Sequence, residues 1–373
     1  MSNLQWLMEN GGAAIKLNLF NEGLIDKNAY DVEELVNELL LIEKVKTVLS
    51  YFDKFKDYKS MRPAPYNDLH GYIHNCYEDC YEMFMPFFIR LGFRKGIPVF
   101  DEKVEYMREV YRYLMTLGDD FVSPVLMLML EAGYFYDDML DYLNRILDKR
   151  YNTAVQQCFE IYETDLSKIR HSKLPKQWKD APILKEIHVD TKTSELPIPT
   201  IYQIMLMIHI YKYVKDIKIK NKIDTILKYV MHPEFQKLRG NLGYGWWPHK
   251  NAYYACSGSL VLPLYIDDEF KGTGHKNMLE MISHIPLATE SCWFRKCMDY
   301  MEQYKTERET YIFPDDWFRA TFVRPANTTT VYSAFISKDA KVNRNEKRPF
   351  VIELLSTYYA LLMKSRMEVN ARK

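Results

Sequence analysis

Four short runs in the 373-residue chain concentrate side chains capable of chemistry. DDMLD (137–141) has the Asp-Asp-x-x-Asp spacing with which paired carboxylates share Mg²⁺ ions that ionise a prenyl diphosphate. HGYIHNCYEDC (70–80) holds two histidines and two cysteines, ligands that zinc accepts when they converge on one point. GYGWWPHKNAYYACSG (243–258) gathers Trp246, Trp247, His249, Tyr253, Tyr254 and Cys256. FPDDWF (313–318) flanks Asp315 and Asp316 with Phe313, Trp317 and Phe318.

Helical spacing decides between uses of these residues. Met139, Leu140, Leu143, Ile146 and Leu147 form one apolar stripe, and Asp137, Asp141, Asn144 and Asp148 share the opposite face. Carboxylates on that face meet water. Asp137 is placed to cap the helix and Asp138 to favour its dipole. A magnesium-dependent diphosphate enzyme is the alternative, and it requires Asp137, Asp138 and Asp141 to face a cavity. In the second run, Leu69, Ile73, Cys76, Cys80, Met83, Phe84 and Phe87 make a continuous stripe from which His70 and His74 are excluded. Four-ligand zinc is therefore not expected, and no metal or other cofactor is assigned. If the histidine face lines a cavity, His70 and Glu78 are its polar residues. In the third run, Asn251 is placed to cap a helix beginning at Ala252, leaving Trp246, Trp247 and His249 on a loop before it.

The elements that must hold these residues are helical. Apolar residues recur at helical spacing in 31–52, 69–87, 104–117, 122–132, 139–147, 201–214, 252–264, 292–304 and 350–363. Long alternating strand patterns are absent, and short β pieces are expected only near 323–335. Gly92 precedes Asp101, Gly118 precedes Asp119, and Gly133 precedes Asp137. Glycine ends one helix in the left-handed region and aspartate caps the next, a recurrence that describes antiparallel helical hairpins. Residues 173–199, with four prolines, read as a loop-rich arm, and 337–349 as a polar loop.

Composition narrows the partners. Lys+Arg and Asp+Glu are both 50, so the net charge is zero, and neither nucleic acid nor an anionic membrane surface is expected as a partner. The most apolar runs, 83–89, 125–130 and 204–210, are far shorter than a membrane span. The first residues lack the pattern of a signal peptide, so the expected location is cytoplasmic. The six cysteines are scattered without C-x-x-C and read as small buried hydrophobes.

WLMENGGAAIK (6–16) resembles the opening of a group of bacterial proteins in the α/α-toroid superfamily, which also contains squalene cyclases and protein-prenyltransferase β-subunits. LHGYIHNCYE (69–78), LGFRKG (91–96), HPEFQKL with GYG (232–245) and ETYIFPDDWF (309–318) are similar to later signatures of that group. Ala13 and Lys16 depart from its usual Pro and Arg. The length would accommodate two domains. The resemblance implies instead a single all-α domain over 1–373, an α/α toroid of antiparallel helical hairpins around a central cavity. Squalene-cyclase chemistry needs Asp-x-Asp-Asp, and the nearest text, YIDD (265–268), has Tyr265 in the first position. Prenyltransferase zinc needs an Asp-x-Cys spacing, whereas Asp79 and Cys80 are adjacent.

The functional expectation is a small-molecule enzyme or binding protein with an aromatic-lined cavity, suited to an apolar or isoprenoid-like ligand. Its wall would be Trp246, Trp247, Tyr253, Tyr254, Trp293 and Trp317, and its acid–base groups His70, Glu78, His249, Asp315 and Asp316. The competing expectation is a helical-repeat scaffold for protein interaction, without catalysis. The sequence specifies no protein partner.

Overall fold

The computed structural model describes residues 2–372 except 27, 62–67, 75–76, 118–121, 157–158, 175, 177–181, 187–198, 237–243, 256–274 and 319–330. The described residues are mostly helical, as the spacing predicts. They divide into two compact units, Met1–Phe135 with Phe270–Lys373, and Tyr136–Glu269.

In the discontinuous unit, α1 (Asn3–Asn10) starts where the Ser2 hydroxyl accepts the Gln5 N–H, and α2 (Ala13–Asn21) follows at once. Between them, Gly12 donates to the Phe335 carbonyl at 2.7 Å and Asn10 accepts from Ser337 at 2.9 Å. A Cβ on Gly12 would stand 2.7 Å from the Ala334 carbonyl oxygen. Glycine is needed there because two backbones meet.

The 31–52 stretch is not one helix. It breaks at Leu41–Ile42 into α3 (Val32–Leu40), a short helix Glu43–Leu49 and a 3₁₀ segment Ser50–Ser60. The 69–87 stretch also breaks, into Asp68–Ile73 and α4 (Tyr81–Arg90), with 75–76 outside the described residues.

Helices α5 (Pro98–Leu117) and α6 (Val122–Glu131) then pack on each other, and α6 on α4. Gly92 and Gly133 end α4 and α6 with φ of +90° and +92°, the left-handed ends read from the sequence. Asp101 takes the Gly96 N–H at 3.0 Å, so it does steady the start of α5; Gly118 and Asp119 lie outside the described residues. Phe52, Phe84, Phe88, Phe93 and Phe100 interlock at ring separations of 4.7–6.0 Å to form the core here.

The unit closes with α10 (His275–Ile282), α11 (Cys292–Met301) and α12 (Lys347–Ala371), whose labels follow those of the other unit below. From Val351 to Ala360 every residue of α12 is buried, and it packs against α1, α2 and α10. A helix enclosed on all sides has no polar face, so its few polar side chains must find partners inside.

In the contiguous unit, α7 (Asp138–Gln156) and α9 (Ile217–Val230) pack together, and α8 (Ile201–Ile210) opens with a Thr200–Gln203 capping box. Along α7, Met139, Leu143, Ile146 and Leu147 are buried while Asp137, Asp141, Asn144 and Asp148 are exposed, as the spacing predicts.

The region after Gly243 differs from the expectation. No helix begins at Ala252: β1 (Tyr244–Trp247) and β2 (Ala252–Ala255) form an antiparallel hairpin with Trp246 opposite Tyr253. Asn251 is not a helix cap but the left-handed turn residue, with φ of +48°. The 256–264 part of the expected helix lies outside the described residues, as does most of the 173–199 arm. Of that arm, Ile183 bridges to Tyr244. Near 323–335, residues 323–330 are likewise outside, and Tyr332–Phe335 is a helical turn rather than a β piece.

Candidate functional site

Arg90 is the last residue of α4, directly after the apolar run 83–89. The end of that helix is pinned by asparagines of α2. Asn18 Nδ2 donates to the Arg90 carbonyl at 2.8 Å, and the Asn21 side chain donates to the Gly92 carbonyl at 2.8 Å. So held, the Arg90 guanidinium donates to the Tyr359 hydroxyl at 3.0 Å. Tyr359 sits on the enclosed part of α12 and is 3% exposed.

Carboxylates of two further helices act on the pair: Glu131, the last residue of α6, and Glu280 of α10. Burial alone would lower the Arg90 pKa, but Tyr359, Glu280 and Glu131 together hold it above the ordinary guanidinium value. Burial, reinforced by Glu280 and Glu131 and opposed by Arg90 and Arg94, raises the Tyr359 phenol. Burial also raises Tyr358, aided by Glu22 and Glu280, and Tyr81, aided by Glu131. Beside them, Arg366 bonds Glu22 at 2.8 Å, the Glu280 carbonyl at 2.9 Å and the Ser283 hydroxyl at 3.0 Å.

The cluster thus combines a fixed guanidinium, phenols kept protonated and carboxylates contributed by α4, α6, α10 and α12. Because Arg90 occupies the Tyr359 oxygen as donor, the Tyr359 proton is directed elsewhere. Such groups can bind a carbonyl or anionic oxygen and stabilise charge on it. Spacing along the chain gave no sign of this convergence. Its only traces were single charges closing apolar runs, Arg90 after 83–89 and Glu131 after 125–130.

A second polar arrangement occupies the HGYIHNCYEDC run, though not on the residues first expected. Glu78 is exposed and ion-paired with Lys44 at 2.5 Å, and His70 is half-buried. The residues brought together are His74 and Glu82, across the break between the two helices. Glu82 is 4% exposed; one carboxylate oxygen meets His74 Nδ1, while the other is buried without a hydrogen-bond partner among the described residues. Cys80, on the predicted apolar stripe, is buried, and Cys76 lies outside the described residues. Among the described residues, no three His, Cys, Asp or Glu side chains are placed to hold a metal ion.

The remaining candidates have local partners. Trp246 and Tyr253 face each other at 5.1 Å in a small core with Leu174 and Ile183; the Arg170 guanidinium lies 4.2 Å from the Trp246 ring centre, and its backbone N–H bonds the Tyr253 hydroxyl. Trp247 is half-buried with Lys250 over its ring. His249 belongs to the turn Pro248–Lys250 and Tyr254 to β2; their side chains are outside the described residues. Trp293 is half-buried beside Phe294. Trp317 is buried against Tyr304 and Phe313, Asp315 is bonded by Arg348 at 2.6 and 2.9 Å, and Asp316 is exposed.

No helix among the described residues is long and apolar enough to cross a membrane. Comparison with protein-family models, with characterised proteins and with solved structures gives no match to this chain.

Proposed function

We propose that the protein is a small-molecule enzyme or binding protein, built as an α/α toroid, whose ligand meets the Arg90–Tyr359 cluster. The ligand is an apolar molecule bearing one carbonyl or anionic group. The supporting observation is that half-buried Arg90 bonds buried Tyr359 while Glu131 and Glu280, on two further helices, act electrostatically on the pair. Convergent polar groups in apolar surroundings are the usual composition of a ligand site. A cytoplasmic location belongs to the same proposal, supported by the buried thiol of Cys297, a form that a reducing compartment maintains.

Native mass spectrometry of the purified chain, set against its denatured mass, tests this reading. Wild type is expected to retain a non-covalent adduct that Arg90→Lys loses while its circular dichroism stays unchanged. An adduct held equally by both proteins removes the cluster from the site. If wild type shows no adduct, and carbonyl and carboxylate compounds shift its melting no differently from that of Arg90→Lys, the cluster is structural.

A further inference from the structure

We propose that a groove beside α3, sharing no residue with the Arg90 cluster, binds a small amphipathic carboxylate. The groove has a volume of about 500 Å³, within the range of small-molecule sites. Its apolar surface comes from two remote parts of the chain: Leu41 and Ile42 after α3, and Ile336 and Val342 before α12. The second part is fixed in place, because Ile336 bridges to Gly11 and the flanking residues bond Asn10 and Gly12. The cleft is therefore preformed.

Leu41 stands at this groove with 77% of its surface exposed, an apolar area that a ligand body would cover.

Charge selects the kind of ligand. Three charged side chains line the groove, Glu38, Lys338 and Lys347. Glu38 is engaged by Lys338 at 3.1 Å, which leaves one positive charge. Lys347 is half-buried and has no ion-pair partner among the described residues. An apolar chain with a single carboxylate complements both features: its body covers Leu41, Ile42, Ile336 and Val342, and its head pairs with Lys347. A body on the order of ten carbons suits the volume.

Calorimetric titration of the full chain with octanoate, and with octanamide as its uncharged counterpart, tests the proposal independently of the Arg90 reading. Octanoate is expected to bind at one site, more tightly than octanamide. Lys347→Gln should weaken octanoate about two- to fivefold and leave octanamide unchanged. Leu41→Glu, at an exposed position that the fold does not depend on, should weaken octanoate at least tenfold and octanamide as well. Absence of octanoate binding at millimolar concentration overturns the proposal. So does equal affinity for acid and amide, or wild-type affinity in Leu41→Glu with an unchanged melting curve.

Discussion

The Arg90 guanidinium reaches the Tyr359 hydroxyl at 3.0 Å although 269 positions separate them in the chain. Their bond ties the end of α4 to the enclosed middle of α12. Tyr359→Phe removes an acceptor from a charged donor and is expected to cost about 1–3 kcal/mol. Arg90→Met should cost more, about 2–4 kcal/mol, because it also removes the charge that acts on Glu131 and Glu280. Urea unfolding of both variants checks the order. A larger loss for Tyr359→Phe would contradict the electrostatic role given to Arg90.

Glu82 gives a second energetic test. His74→Ala strands its carboxylate in the core, with an expected loss of about 2–4 kcal/mol. His74→Ala combined with Glu82→Leu should recover most of that loss, since both polar partners are then gone. Strictly additive losses in the double variant would show that the two side chains do not interact.

Alkaline stability follows from the buried phenols. Tyr304 is pushed up to about 12 by burial, then by Tyr300 and the charge of Asp316, and burial raises Tyr81, Tyr358 and Tyr359 as well. A phenol with a higher pKa in the fold than in the unfolded chain holds its proton more tightly when folded. Below the unfolded value, about 10, both states are protonated and the full stability is present. As pH rises from there through the folded value, the unfolded chain releases protons first and stability falls. Absorbance at 295 nm should show a fraction of tyrosines that ionise only as circular dichroism is lost, above pH 10. Complete tyrosine titration in a folded chain at pH 10 would contradict this.

Gly92 combines a φ of +90° with a packing contact, for a Cβ there would lie 2.5 Å from Leu17 Cβ. Gly92→Ala must relieve both strains and should cost about 1–3 kcal/mol, measured as a lower midpoint of thermal or urea unfolding. A wild-type midpoint would mean that the α4 end can move away from α2.

The parts of the fold legible in the sequence were those governed by local periodicity. Along α7 a single stripe determines which residues are inside, so the exposure of Asp137 and Asp141 followed from spacing alone. Gly92 and Gly133 were legible because few other residues adopt their backbone angles. Asn251 misled because asparagine serves both as a helix cap and as a left-handed turn residue; the hairpin depends on pairing seven positions apart, between Trp246 and Tyr253. The Glu82–His74 pair was missed because one continuous helix was assumed, which would hold these two side chains about two turns apart, whereas the chain breaks and brings them together. The Arg90 cluster had no local signature. Its members each look like an ordinary helix-end charge or aromatic until the helices pack.

The bridge between Gly11 and Ile336 also bears on the order of events during synthesis. Helices α1 and α2 leave the ribosome long before the segment and the α12 helix that cover them. Until then Leu7, Ala14, Ile15 and Leu17, all buried in the finished protein, have no cover from that side. Residues 136–269, by contrast, form a contiguous unit that can begin to pack as soon as it emerges. Helices α1 and α2 should therefore depend on chaperones until α12 has been made.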